Sequence, residues 1–274
     1  MTEFQSALDH VHATLSELRE QGVELRASSV ALARLENTPT AAPQAPEPLP
    51  SPRPAAEAPP LSPAPDGSKA ERLAALRGPV LACTLCPHLV KSRTQVVFGV
   101  GHPEAELMFV GEAPGEDEDL QGEPFVGKAG QLLTKIIVAM GFTRDDVYIG
   151  NVLKCRPDMP PGESGNRKPK PAEMATCLPY LRQQIDIIQP RALVALGATA
   201  MEGLLGAVEP MAKLRGRWHD FHGIPLMATY HPAYLLRNQS LTEKRKVWED
   251  MLLVLERLGQ PISEKQRGFF LGKA

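Results

Sequence analysis

Four cysteines are the residues of this 274-residue chain whose type and spacing speak most directly of chemistry. Cys83 and Cys86 form a C-x2-C pair, while Cys155 and Cys177 stand alone with 21 residues between them. Thiolates in this pattern suit a tetrahedral site that holds either zinc or an iron–sulfur cluster. A zinc ribbon ordinarily repeats the C-x2-C knuckle, and this chain does not. Spacing leaves zinc and cluster both open, with buried unligated thiols as the plain alternative. Prolines in Cys86-Pro87 and Cys155-Arg156-Pro157 favour loops wrapped around an inorganic centre. Disulfides are the less expected use. The start, MTEFQSALDH, lacks the basic and apolar regions of a secretion signal, so a cytoplasmic protein with reduced thiols is expected.

A second set of chemistry-bearing residues sits in polar segments: Gly111–Asp119, Asn151 and His231. The elements that must position them read as alternating strands and helices. Leu107–Val110 is a buried strand running into the Gly111–Gly115 loop. Gln131–Met140 follows as a helix closed by Gly141. Val147–Leu153 is a second strand, and Ala172–Ile188 is a helix entered through Pro171. Ala192–Leu196 is a third strand, followed by a short helix to about Leu205. Leu226–Tyr230 is a fourth strand ending at His231-Pro232, and Leu241–Leu258 is a final amphipathic helix. This order predicts an α/β protein, a three-layer α/β/α sandwich around a central, mainly parallel four-stranded sheet. Ligands of such sheets bind beyond the carboxyl ends of the strands, where all three polar segments fall.

Ahead of this body lie two other regions. Phe4, Leu8, Val11, Leu15 and Leu18 step by four and three, so residues 1–36 read as a helical segment whose partner the sequence does not name. Residues 37–68 hold eleven Pro and seven Ala and read as a disordered linker. Residues 69–260 form the expected functional domain, and 261–274 a C-terminal tail. The net charge of −2 hides an asymmetry: residues 1–68 sum to −5 (four Arg against nine Asp/Glu), and residues 69–274 to +3. The mildly basic body is compatible with a phosphate backbone as partner without demanding one. The sequence contains no run of 18 apolar residues, so no membrane span is expected.

Five motifs occur in order: Cys83-x-x-Cys86, Gly111-Glu-Ala-Pro-Gly-Glu-Asp-Glu-Asp119, Pro124-Phe-Val-Gly-Lys-Ala-Gly130, Asn151-Val-Leu-Lys-Cys-Arg-Pro157 and His231-Pro-Ala-Tyr-Leu-Leu-Arg237. Together they resemble the family 4 uracil-DNA glycosylases over about residues 80–260. The resemblance, not the spacing, moves the four cysteines from zinc to a [4Fe–4S] cluster held by Cys83, Cys86, Cys155 and Cys177. One departure is visible: Asp158–Ser164 looks like an insertion between the third and fourth cysteines.

The resemblance implies a base-excision-repair hydrolase that breaks the N-glycosidic bond of uracil in single- and double-stranded DNA, leaving an abasic site. It implies uracil-containing DNA as partner and a monomeric catalytic domain. The target atom is out of reach in a duplex, so the nucleotide must be flipped into a pocket. Phe125 is the expected stacking face. Asn151 is the expected edge reader, because a carboxamide accepts from uracil N3–H and donates to O4, a pattern cytosine reverses. His231 is the expected donor to the departing anion at O2. Glu112, Ala113 and Pro114 line the base. Glu112 and Glu118 are the acidic candidates, for positioning water or, in the case of Glu118, for crowding the place of a thymine methyl. Tyr234, Leu235 and Leu236, read as a loop followed by Arg237, are expected to meet DNA as wedge and phosphate contact, with Lys213 and Arg215 as a second basic contact. Two readings of a different class remain: covalent capture of uracil-DNA, and a catalytically dead cluster protein. The first is disfavoured because Gly162–Pro171 contains no His, the second because Phe125, Asn151 and His231 are all present.

Overall fold

The computed structural model describes residues 67–160 and 162–271, together with residues 13–21 except 15 and 18. The chain divides into two units, Met1–Arg53 and Pro54–Ala274. In the first, the described residues from 13 to 20 are helical and exposed. The rest of the expected helical segment, and nearly all of the linker, lie outside the described residues.

The second unit begins with α1 (Lys69–Leu81), whose start is fixed by a reciprocal pair: Ser68 Oγ accepts from the Glu71 N–H, and Glu71 accepts from the Ser68 N–H. There follow α2 (Pro87–Ser92), β1 (Val100–Gly101), β2 (Leu107–Gly111), α3 (Glu116–Gln121), α4 (Lys128–Met140), β3 (Tyr148–Asn151), α5 (Pro171–Ile188), β4 (Ala192–Leu196), α6 (Ala198–Leu205), α7 (Met211–Leu214), β5 (Trp218–Phe221), β6 (Ile224–Thr229), α8 (Pro232–Arg237), α9 (Leu241–Leu258) and α10 (Glu264–Arg267).

The strands form one sheet in the order β1-β3-β2-β4-β6-β5. The inner four are parallel, as expected, but the sheet has six strands and is mixed, because β1 and β5 add antiparallel edges. The β5–β6 edge is a hairpin closed by His222 and Gly223, with φ of 52° and 87°, the two positive values that a two-residue hairpin turn demands.

Every residue of β2, β3 and β4 is buried. Their side chains alternate between two cores, as a pleated strand covered on both faces must. Met108, Val110, Leu193 and Ala195 face a layer built from α1, α5 and α6, whereas Leu107, Phe109, Val194 and Leu196 face α4 and α9. Cys155 and Cys177 are buried in the first layer, and Cys83 and Cys86 pack against it.

The segment after residue 260 turns back on α9: Trp248 Nε1 donates to Gln266 O at 2.6 Å, and Phe269 packs on the Trp248 ring. Two further segments differ from expectation. Residues 232–237, read as a loop, are helix α8, which Pro232 opens where its missing N–H costs nothing. Residues 116–121, to which the sequence reading gave no helix or strand, are helix α3, in which Asp119 is buried and accepts from the Thr94 N–H. Among the described residues no helix is long and apolar enough to cross a membrane.

Candidate active site

The carboxyl ends of β2, β3 and β6 bring the polar segments together. Gly111, the last residue of β2, pairs in register with Asn151, the last of β3. A Cβ at Gly111 would lie 2.4 Å from Asn151 Oδ1 and 2.5 Å from Phe125 Cζ. The carboxamide and the ring edge therefore meet over a residue that must be glycine. Asn151 is 2% exposed, and its Oδ1 has no hydrogen-bond partner. An orphaned buried acceptor costs about 1–3 kcal/mol and marks a place that awaits a donor.

Phe125 is buried and has φ of 56°, a left-handed value that a bulky residue adopts only when its surroundings force it. Several contacts do so. Arg144 donates to Phe125 O at 3.2 Å and to Pro124 O at 2.9 Å. A Cβ at Gly130 would fall 1.8 Å from Phe125 O, so α4 can approach the loop only through glycine. Glu118 accepts from the Val126 and Gly127 N–H groups at 3.0 Å each, and from the Gly115 N–H at 3.1 Å. That carboxylate ties the loop after β2 to the loop carrying Phe125.

His231 caps α8. The Ala233 N–H donates to Nδ1 at 3.1 Å, which places the proton of a neutral ring on Nε2. Burial, and secondarily the positive charge of Arg237, push its pKa down to about 4, so the ring is neutral near pH 7. Its ring centroid lies 5.6 Å from that of Phe125. Glu112 is half-buried; burial raises its carboxyl pKa against a hydrogen bond with Thr199, and its backbone oxygen accepts from the Leu153 N–H. Ala113 and Pro114 continue the same wall, Pro114 buried.

The outer candidates divide. Along α8, Leu235 is buried at 4% exposure, whereas Leu236 at 39% and Arg237 face outward. The exposed apolar residue is thus Leu236 and not Leu235, because adjacent residues on a helix face different ways. Tyr234 is half-buried, stacks on Tyr230 and donates to Glu243. Lys213 is exposed. Arg215 is committed elsewhere: it donates to both oxygens of the fully buried Asp250 and to Lys246 O. Asp250 also accepts from Thr229 at 2.6 Å, at the end of the strand that leads to His231. Asn166, to which the sequence reading gave no role, stands exposed with its Nδ2 3.2 Å from where a Gly115 Cβ would be. Its only sequence signal is its place just after the inserted loop.

The four cysteines form no disulfide. They are placed by the α1–α2 turn, the run after β3, and α5. Burial, followed by the charges of Cys155 and Cys83, pushes the Cys86 thiol up to about 11; burial likewise lifts Cys177 to about 12. Thiols so gathered resist ionisation without a cation among them. Among the described residues, His88, Asp158 and Glu173 bring three possible ligand atoms within 4.8 Å of one another. The His88–Asp158–Glu173 group is itself filled by Arg167, which donates to both carboxylates.

The uracil DNA glycosylase superfamily model matches residues 98–252, the span that contains β2, β3, β4, β6 and Glu112, Phe125, Asn151 and His231. The chain belongs to the uracil DNA glycosylase superfamily. Within it, the chain is similar to the Type-4 uracil-DNA glycosylase of Thermotoga maritima, at 47% identity over 63% of this chain and 87% of the relative. It is similar to the Type-4 uracil-DNA glycosylase of Archaeoglobus fulgidus at 40% identity, over 60% and 83%. The Type-4 uracil-DNA glycosylase of Sulfurisphaera tokodaii is 39% identical over 74% and 91%.

Proposed function

We propose that this chain is a DNA-repair glycosylase that hydrolyses the N-glycosidic bond of uracil in single- and double-stranded DNA, releasing uracil and leaving an abasic site. The observation that carries the reading is the unpartnered, buried Asn151 Oδ1 beside Phe125 and a neutral His231. Uracil offers Oδ1 its N3–H and offers the amide nitrogen its O4; cytosine offers neither in the right sense. A mismatch between buried polar groups is what makes such discrimination strong. Phe125 supplies the stacking face. The Nε2–H of His231 acts on O2, where negative charge develops as the base departs. A neutral ring suffices, because what is needed is a fixed N–H dipole.

Glu112, a half-buried carboxyl hydrogen-bonded with Thr199, positions the attacking water. Glu118, with three backbone donors on its oxygens, positions the two pocket loops. Leu236 fills the gap left by the flipped nucleotide, while Tyr234, Arg237 and Lys213 face the DNA. The catalytic domain acts as a monomer in the cytoplasm.

Cys83, Cys86, Cys155 and Cys177 hold a [4Fe–4S] cluster. What favours the cubane over zinc is the resemblance of the surrounding motifs to the family 4 glycosylases, since four thiolates could serve either centre. When bound, the cluster supplies a cross-link among the α1–α2 turn, the run after β3, and α5. Residues 69–260 constitute the catalytic domain, preceded by a helical segment and a linker.

The deciding experiment incubates anaerobically purified protein with uracil-containing oligonucleotides. Free uracil and alkali-sensitive abasic sites are the expected products. A protein–DNA adduct that survives denaturation would replace hydrolysis with capture, and bound DNA with no uracil released would leave only a binding protein.

A further inference from the structure

Two basic side chains are built into the cysteine layer. Arg93 donates from Nη1 to Cys155 Sγ at 3.0 Å and from Nη2 to Cys83 O at 2.8 Å. Lys154 is 1% exposed; its backbone N–H donates to Cys177 Sγ at 3.2 Å, and its ammonium donates to Gln184 Oε1 at 2.5 Å. Gln184 is neutral and in turn donates to Phe98 O and to the Tyr148 hydroxyl. Among the described residues, neither Arg93 nor Lys154 forms an ion pair with a carboxylate.

An ammonium taken fully out of water needs an opposite charge close by. A Gln carbonyl oxygen supplies a hydrogen bond but not that charge. Arg93 reaches the Cys155 sulfur directly, and Lys154 is the chain neighbour of Cys155 with its own N–H on the Cys177 sulfur, so the cysteine cluster is the nearest source of that charge. A four-thiolate cubane in its resting oxidation state carries a net charge of about −2, and hydrogen bonds and charge around its sulfurs set its potential and its retention.

We propose that Arg93 and Lys154 are the built-in counter-charges of the cluster, an inference that rests on the iron–sulfur reading above. Arg93 acts on the solvent side, where it also pins the Cys83–Cys86 turn to Cys155. Lys154 acts from the interior, three residues beyond Asn151 in the chain, and is held by the Gln184–Tyr148 pair that reaches back to β3. Both are positioning residues and touch no substrate. With both present, a dianionic cluster can sit against an apolar layer without an uncompensated charge.

The test uses full-length holoprotein, purified anaerobically, as wild type, Arg93→Gln, Arg93→Lys and Lys154→Met. Iron and sulfide per chain, the midpoint potential without DNA, and the rate at which visible absorbance is lost to an iron chelator are measured. Removing either charge should move the potential in the negative direction and speed absorbance loss roughly tenfold or more. Arg93→Lys keeps the charge and should stay nearer wild type than Arg93→Gln. Potentials and loss rates equal to wild type in Arg93→Gln and Lys154→Met would overturn the proposal, as would Arg93→Lys behaving like Arg93→Gln. Should Lys154→Met fail to fold, the Arg93 pair still decides. A wild-type protein devoid of iron and sulfide would instead remove the cofactor reading, an outcome separable from all of these.

Discussion

The cysteine layer and the carboxyl-end pocket are held together in opposite ways. In the layer, polar side chains meet one another: Arg167 donates to Asp158 and Glu173, His88 meets Glu173 at 2.7 Å, and Lys154 donates to Gln184. In the pocket, groups are fixed and then left open: Asn151 Oδ1 has no partner, and His231 is bonded only through Nδ1 among the described residues. Phe125 is forced to a positive φ by Arg144, Glu118 and the close approach of Gly130. The contrast separates a scaffold, whose carboxylates around Arg167 are matched in the fold, from a binding surface, where Asn151 Oδ1 is left for a ligand.

The largest effect that would sharpen this contrast is expected from His231→Ala. Excision should slow by about 10²–10³ at saturating substrate, with the visible chromophore unchanged and about 1 kcal/mol of stability lost with the α8 cap. Lost chromophore would mean that the two regions are not separable. The pH–rate profile of the wild type should show no His231 inflection near 6.5, since the ring takes a proton only near pH 4. Next, Asn151→Asp should lower selectivity for uracil over cytosine by roughly 10²-fold, because a carboxylate cannot donate to O4. Equal selectivity, measured on paired oligonucleotides, would take the edge-reading role from Asn151.

Glu118→Ala should cost about 2–3 kcal/mol of stability, as three backbone N–H groups lose their acceptor, and should lower activity roughly tenfold as the two loops part. Full activity in that variant would leave Glu118 a purely local cap of α3. The smallest effect concerns the scaffold. Burial alone would raise the Glu173 carboxyl, but hydrogen bonds from Arg167, the Lys170 N–H and His88 outweigh it and hold it at about 2. A carboxyl with a folded pKa below its unfolded value near 4.5 stabilises the fold above that pH, and this support fades as pH falls toward 2. Glu173→Gln should flatten that acid limb in equilibrium unfolding; an unaltered limb would show that the ion pairs around Arg167 contribute nothing to it.

Much of this molecule was legible in the chain. Ala192–Leu196 and Leu241–Leu258 fall where the apolar pattern puts them, because a buried parallel strand and a long amphipathic helix declare themselves locally. The edges did not. Val100–Gly101 is too short to carry a period, and the β5–β6 hairpin depends on two positive φ values at His222-Gly223. Asn151 and His231 could be placed by the resemblance and by their positions at strand ends. Arg215 looked like a free cation because Asp250 lies 35 residues away, and a contact at that distance leaves no local trace. Of the two leucines read together as DNA-facing, Leu235 is buried and Leu236 exposed, because the segment is a helix, in which one step in sequence turns the side chain by about a quarter of a circle or more.

The unmatched oxygen of Asn151 also has a thermodynamic echo. A fold that carries an unmet acceptor is under tension until a base arrives, so the liberated base is itself a ligand that relieves it. Melting should rise with added uracil and stay level with added cytosine. The arrangement proposed to select uracil in DNA would thus retain the product after cutting, and departure from the pocket, rather than bond breaking, would be a natural place for turnover to slow.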